Sequence, residues 1–266
     1  MQDTTEERKI NGKKIAIIVC VCIAAVFLLA KVVVPRIQYH SAYRMYTSSG
    51  YTAAEKADSK QRMIKYANVG DTIYFGCYGV KYSRTIEWRV LAKEDNKILV
   101  ISNKVLEELP YNNSDETESK SVTWATCTLR SWLNSTFIDE AFDSDEQARI
   151  LSSEVTAELN PEHSDVYPGS DTTDKVFLLS MSEADKYLSS VDEKKCCMTK
   201  DLCYRHYYSP ITGRPYIESE NMPGAWLLRT PWTRESCAFV EEEGYIGWWG
   251  STGGGIRPAM WISLDD

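Results

Sequence analysis

The chain has 266 residues, 30 of them Lys or Arg and 38 Asp or Glu, for a formal charge of −8. Hydrophobic residues at 43% and charged residues at 26% exclude wholesale disorder, and the acidic balance argues against a nucleic-acid binder, which carries a basic face. The charge is uneven: residues 1–36 hold six basic side chains against three acidic, leaving 24 against 35 beyond them, so a small basic head precedes a body of net charge −11.

Ile15–Ala30 reads IAIIVCVCIAAVFLLA without a polar residue, and after Lys31 the apolar run resumes to Val34. As a helix, Ile15–Val34 is about 30 Å long, the thickness of the hydrocarbon core of a bilayer. The stem of Lys31 can carry its ammonium out to the headgroups. Arg8, Lys9, Lys13 and Lys14 precede the span and only Arg36 and Arg44 follow closely, which predicts a cytoplasmic N-terminus (residues 1–14) and an exported body. A cleaved signal peptide needs small residues where Ala30-Lys31-Val32 stands, and a lipoprotein needs one before its Cys, where Val precedes both Cys20 and Cys22. The length of the run together with its lack of any polar face argues against a buried core helix. The span is therefore predicted to be an uncleaved single-pass anchor, with residues 35–68 a juxtamembrane stalk, partly helical around Ala53–Tyr66.

A folded body is predicted over residues 69–266. Thr72–Tyr78 and Thr85–Ala92 alternate as strands, and Lys97–Ser102 returns across Glu94-Asp95-Asn96 as a hairpin. Leu129, Trp132 and Leu133 follow helical spacing, Phe137–Phe142 forms a second short apolar face, and Ser144 with Gln147 fits a capping box. Lys175–Ser180 reads as a buried strand, and Ser182 as the cap of a helix to Leu188. Ala225–Arg229, Cys237–Glu241, Tyr245–Trp249 and Ile256–Leu264 read as strands. Strands at both ends with helices between predict an α+β body rather than a parallel α/β sheet.

Cys196-Cys197 with Cys203 and His206 forms the most metal-like cluster, since zinc takes thiolate and imidazole, but adjacent cysteines rarely aim at one ion. Disulfides among Cys77, Cys127, Cys196, Cys197, Cys203 and Cys237, or plain buried thiols, compete with it. Asp165, Asp171 and Asp174, among Gly169, Ser170 and Thr172, supply oxygens that suit calcium, although such residues also build turns and caps. Trp226, Trp232, Trp248, Trp249 and Trp261 crowd the last 41 residues, either as core or as faces for a sugar or a partner protein. Trp248 and Trp249 are adjacent, so a strand would point them to opposite faces beside the close-packed or flexible Gly253–Gly255. Arg229 and Arg257, inside apolar strands, are expected to pair with loop acids such as Asp174. No G-x-S-x-G or Walker loop occurs, and no spacing selects His163 or His206 as a base.

The segments VGDTIYFGCY, IEWRVLAKEDNKILVIS, VTWATCTLRSWLN, FIDEAF, DTTDKVFLLS, AWLLRTPW and GIRPAMWISL, in that order over Val69–Leu264, resemble the bacterial family known as domain of unknown function 6273. The likeness departs at Ala225-Trp226-Leu227, where the family usually has a Trp pair, and at Cys203–Met222, which reads as a chain-specific loop. More distantly, the order is similar to the C-type-lectin-like and formylglycine-generating-enzyme architecture, which implies paired terminal strands and functional loops. The second Cys of the enzyme pattern is missing after Cys237, and the resemblance transfers no catalytic residue. The function expected is a membrane-anchored extracytoplasmic binding or adhesion module on a bacterial cell, for a protein or a glycan. Its contact surface would be Tyr207, Tyr208 and Arg214 of the polar loop with Trp248 and Trp249. An envelope-acting, metal-assisted enzyme and a structural envelope protein are the alternatives.

Overall fold

The computed structural model describes residues 3–79, 84–113, 121–206, 208–209, 214–215, 222–248 and 253–265. The chain forms two compact units, Met1–Ala67 and Asn68–Asp266.

The first unit is helical. α1 (Asp3–Leu28) runs through a π-helical turn (Leu29–Val33) into α2 (Val34–Thr47). Within this run Ala16–Thr47 is long and apolar enough to cross a membrane, and its apolar window is not buried. The helix continues beyond Val34 instead of breaking at Pro35. A proline ring clashes with the carbonyl four residues back, and the wide turn, in which Val34 N–H donates to Leu29 O, re-aims the carbonyls just before it. α3 (Ala53–Tyr66) opens with a capping box: Thr52 Oγ1 accepts from Glu55 N–H, and the Glu55 carboxylate accepts from Thr52 N–H at 2.8 Å. Those Thr52 contacts, backbone first, hold the Glu55 carboxyl below its ordinary value. α2 and α3 pack together, with Tyr39 and Ala42 buried on one and Met63 and Ile64 on the other.

The second unit begins as expected with a meander. β1 (Thr72–Tyr78), β2 (Arg84–Glu94) and β3 (Lys97–Ser102) pair antiparallel, with Glu94 opposite Lys97 across Asp95-Asn96. β4 (Lys104–Val105) and β5 (Glu107–Pro110) follow, then three short helices: α4 (Thr128–Leu133), α5 (Thr136–Ala141) and α6 (Ser144–Arg149). Asp143 with Glu146, not Ser144 with Gln147, forms the capping box of α6, because Asp143 already has extended backbone. β6 (Ile150–Leu151), β7 (Ser153–Val155), β8 (Thr172–Asp174) and β9 (Val176–Phe177) lead to α7 (Met181–Tyr187). Ser180, not Ser182, caps α7, and the expected strand Lys175–Ser180 shrinks to β9 because its tail becomes this cap. α8 (Val191–Lys194), β10 (Cys197–Met198), α9 (Lys200–His206) and the ribbon β11 (Tyr208–Ser209) with β12 (Arg214–Pro215) come next.

The last third is β13 (Trp226–Pro231), β14 (Cys237–Val240), β15 (Ile246–Gly247), β16 (Gly253–Ile256) and β17 (Ala259–Ser263). The single strand expected over Ile256–Leu264 is split at Arg257-Pro258, since proline has no N–H for a ladder. That break carries the chain from one sheet to the other. β1-β2-β3-β17-β6 form the first sheet, with β9 also on β17, and β15-β14-β13-β16-β5 form the second. The terminal strands share a sheet but do not pair, because β2 and β3 lie between them, so this expected lectin-like hallmark is absent. The body is mixed helix and sheet. Its core gathers Phe75, Trp88, Phe137 and Phe142, with Phe142 at 5.4 Å from Phe75 and 5.7 Å from Phe137, and Trp88 Nε1 donates to Phe75 O.

Candidate functional site

The loop between β7 and β8 meets the strand ends of the second sheet at an open cleft of about 340 Å³. His163, Asp165 and Val166 line it from the loop, and Trp232, Thr233, Arg234 and Trp248 from the sheet. Asn160, 1% exposed, holds the loop in place: its Nδ2 donates to Pro231 O at 3.0 Å and its Oδ1 accepts from Glu162 N–H. His163 then packs edge-on to Trp232, ring centroids 4.8 Å apart.

The opposite wall comes from two turns. After β13, Trp232 and Thr233 N–H donate to Ser236 O, and Thr233 Oγ1 accepts from Glu235 and Ser236 N–H. The hairpin from β14 to β15 turns at Gly244. Its φ is +92°, and a Cβ there would lie 2.1 Å from Val191 O, so the position admits only glycine. This hairpin delivers Trp248 one residue past the Phe239–Gly247 pair. The Trp248 side chain is 46% exposed, yet its Nε1 donates to Ser236 Oγ at 2.8 Å, so an exposed ring is fixed in orientation. The side chains of Asp165 and Arg234 have no hydrogen-bond or ion-pair partner among the described residues. The cleft thus offers an aromatic face, an imidazole, a hydroxyl and one charge of each sign.

The expected site residues divide sharply. Asp165 and Trp248 meet in this cleft. Asp171 Oδ1 instead accepts from Ala157 N–H at 2.7 Å. Asp174 is 2% exposed, and its oxygens are taken by Trp124 Nε1 at 2.9 Å, Arg130 Nε at 2.7 Å and Thr172 Oγ1 at 2.6 Å. Among the described residues no group of three His, Cys, Asp or Glu side chains is arranged to hold a metal, so the calcium set does not assemble, nor do Cys196, Cys197 and Cys203 as a zinc set. Cys196 is buried with its thiol against Asn103 O and Cys197 O. Trp249 and Tyr207 lie outside the described residues, as does the side chain of His206. Tyr208 and Arg214 fall on β11 and β12.

All eight cysteines are free thiols. Burial pushes Cys127 up to about 11 and raises Cys237 well above its ordinary value. Arg229 pairs with Glu183 rather than Asp174, through Nη1 and through Nη2 at 3.0 Å, and Nη1 also donates to Leu178 O. Buried Arg257 has no carboxylate partner among the described residues: Nε donates to Ser102 O at 2.8 Å and the guanidinium lies 4.9 Å from the Trp226 ring centroid. Asp174 is therefore the partner of an arginine, Arg130, that nothing in its sequence context singles out. His163, Thr233 and Arg234 were likewise not expected in a common cleft, and Trp232 was only one of a crowd. The Asn160-Pro161 turn and the Thr233–Ser236 turn are the local signals that mark them.

A family model described as "Domain of unknown function (DUF6273)" matches residues 95–264. The chain belongs to the DUF6273 family. The DUF6273 match takes in every residue of the cleft and begins after β2, so the first two strands of the six-stranded sheet lie outside it. No curated protein and no solved structure matches the chain.

Proposed function

We propose that this DUF6273 protein is a membrane-anchored glycan-binding module of the bacterial cell surface, with a cytoplasmic N-terminus and its body outside. One observation carries the reading: a half-exposed Trp248 ring held by Ser236 inside an open cleft beside Trp232, Asp165, Thr233 and Arg234. The apolar face of a sugar ring stacks on a fixed indole, while carboxylate, guanidinium and hydroxyl groups meet its hydroxyls. Fixing the ring beforehand removes an ordering cost on binding. The lectin-like reading of the fold is retained only in this sense, that loops carry the contact surface. Orientation and export rest on the Lys/Arg bias flanking the span.

The test is a glycan array probed with the full chain in lipid nanodiscs, with Trp248→Ala beside it. Binding of a defined set of glycans by the parent chain and not by the variant supports the module. Absence of any glycan signal, with capture of a specific protein instead, replaces the glycan by a protein ligand. An enzyme would reveal itself by product formed from the arrayed glycans.

A further inference from the structure

A second cavity, of about 140 Å³, opens across the five-stranded sheet and shares no lining residue with the Trp248 cleft. β13 and β16 pair at one position, Trp226 opposite Gly255, and both residues line the cavity. β16 is a glycine run, yet none of Gly253, Gly254 and Gly255 has a positive φ, so the backbone conformation does not demand glycine. At Gly255 close approach does: a Cβ would lie 2.3 Å from Ala225 O. At Gly254 the nearest atom to a Cβ is Leu227 Cδ2 at 2.9 Å, the end of a flexible side chain. Gly254 therefore weakens its strand without a backbone reason, and what its missing side chain leaves is room beside Leu227. The other walls close on that room. Leu227 stands opposite Phe239 in the β13–β14 ladder, and Cys237 lines the cavity from the start of β14. Met198 lines it from β10, with its Cγ 3.1 Å from where a Cβ on Gly224 would stand. The charged lining residues are Glu108 and Glu242, with no Lys, Arg or His among the described ones. Glu108 is on β5 and Glu242 follows β14, with β13 and β16 between those strands, so no single cation meets both acids, whereas each repels an anion.

We propose that this slot binds a neutral, single-ring aromatic molecule, its ring between the glycine backbone of β16 and the side chains of Leu227, Phe239 and Met198. The apolar walls favour hydrocarbon over water. A cavity of about 150 Å³ walled by Leu, Ile and Phe takes up benzene, so the volume fits one six-membered ring, and it is well under the roughly 300 Å³ at which pockets for drug-sized molecules begin. The Phe239 ring and the Met198 sulfur are the wall groups with a specific attraction for an aromatic ring. The inference does not rest on the glycan reading, because it uses a different cavity.

Fluorine NMR of fluorobenzene titrated into the full chain in lipid nanodiscs tests it, with protein-free nanodiscs as the background for partition into lipid. Fluorobenzoate serves as the anionic match and fluoronaphthalene as the match with a second ring. Fluorobenzene is expected to bind saturably above the background, and each of the other two at least about tenfold more weakly, the first through repulsion by the two acids and the second through size. Gly254→Ala, whose added methyl meets only the flexible end of Leu227, is expected to weaken fluorobenzene about fivefold, and Gly254→Leu to abolish its binding. On the unsubstituted chain, carrying methyl-labelled methionine, fluorobenzene is expected to shift the Met198 methyl signal, assigned by its loss in Met198→Leu; this reading stands even where a glycine variant fails to fold. Absence of saturable binding, equal affinity for fluorobenzoate or fluoronaphthalene, an unmoved Met198 methyl signal, or indifference to a folded Gly254→Leu overturns the proposal.

Discussion

Asp165 and Asp174 stand nine positions apart in one acidic segment, and the fold treats them in opposite ways. Asp174 closes the β7–β8 ribbon, loses its water and is compensated by Arg130, Trp124 and Thr172. Asp165 keeps its water, has no described partner and lines the same cleft as Trp248. The tryptophans divide the same way. Trp226 is fully buried with its Nε1 on Lys194 O, whereas Trp248 shows nearly half its surface with its Nε1 on a hydroxyl. A buried charge must be matched by the protein, so a matched one is framework. A charge and an aromatic face that are ordered but unmatched are what a ligand can use.

The comparison breaks first if framework charges prove dispensable. Arg229, 3% exposed, bridges α7 to β13 through Glu183, and Arg229→Met is expected to cost about 3–5 kcal/mol in denaturant unfolding. An effect under about 1 kcal/mol would place this arginine outside the framework. Asp174→Asn keeps the shape but removes the charge facing Arg130, and is expected to cost about 2 kcal/mol by the same measurement.

The sequence exposed the framework unevenly, and the reasons are physical. β1, the β2–β3 hairpin and the α3 helix follow from alternation, a two-residue turn and a capping box, all local. The partner of Arg229 was not legible, since Glu183 lies 46 positions away and becomes a neighbour only when α7 docks on β13. The split between β16 and β17 was foreshadowed by Pro258, but that the chain changes sheets there depends on both sheets being formed. The cleft was half legible. Trp248 and Asp165 stood out by residue type, whereas Arg234 and His163 look like ordinary surface residues until Asn160 fastens their loop to Pro231.

Two smaller effects sharpen the contrast. Burial raises the Cys127 thiol from 9.0 to about 11, so between those values the folded state holds a proton that the unfolded state has released. Stability is therefore expected to fall progressively as pH rises from about 9 towards 11, read from the unfolding midpoint, and Cys127→Ala should flatten that fall. At neutral pH iodoacetamide should modify exposed Cys77 well before Cys127 or Cys237. Asp165→Asn, at the other extreme, is expected to change stability by less than about 0.5 kcal/mol, because no described group depends on its charge. A larger loss would make Asp165 a framework residue like Asp174.

The central claim is that the Trp248 cleft is a ligand face and not a piece of framework. It is tested most directly by titrating the strongest array glycan into the full chain and into Trp248→Ala, with unfolding measured on the same samples. Affinity is expected to drop at least about tenfold while stability changes by less than about 1 kcal/mol. Unchanged affinity, or a stability loss large enough to account for the lost binding, would contradict it.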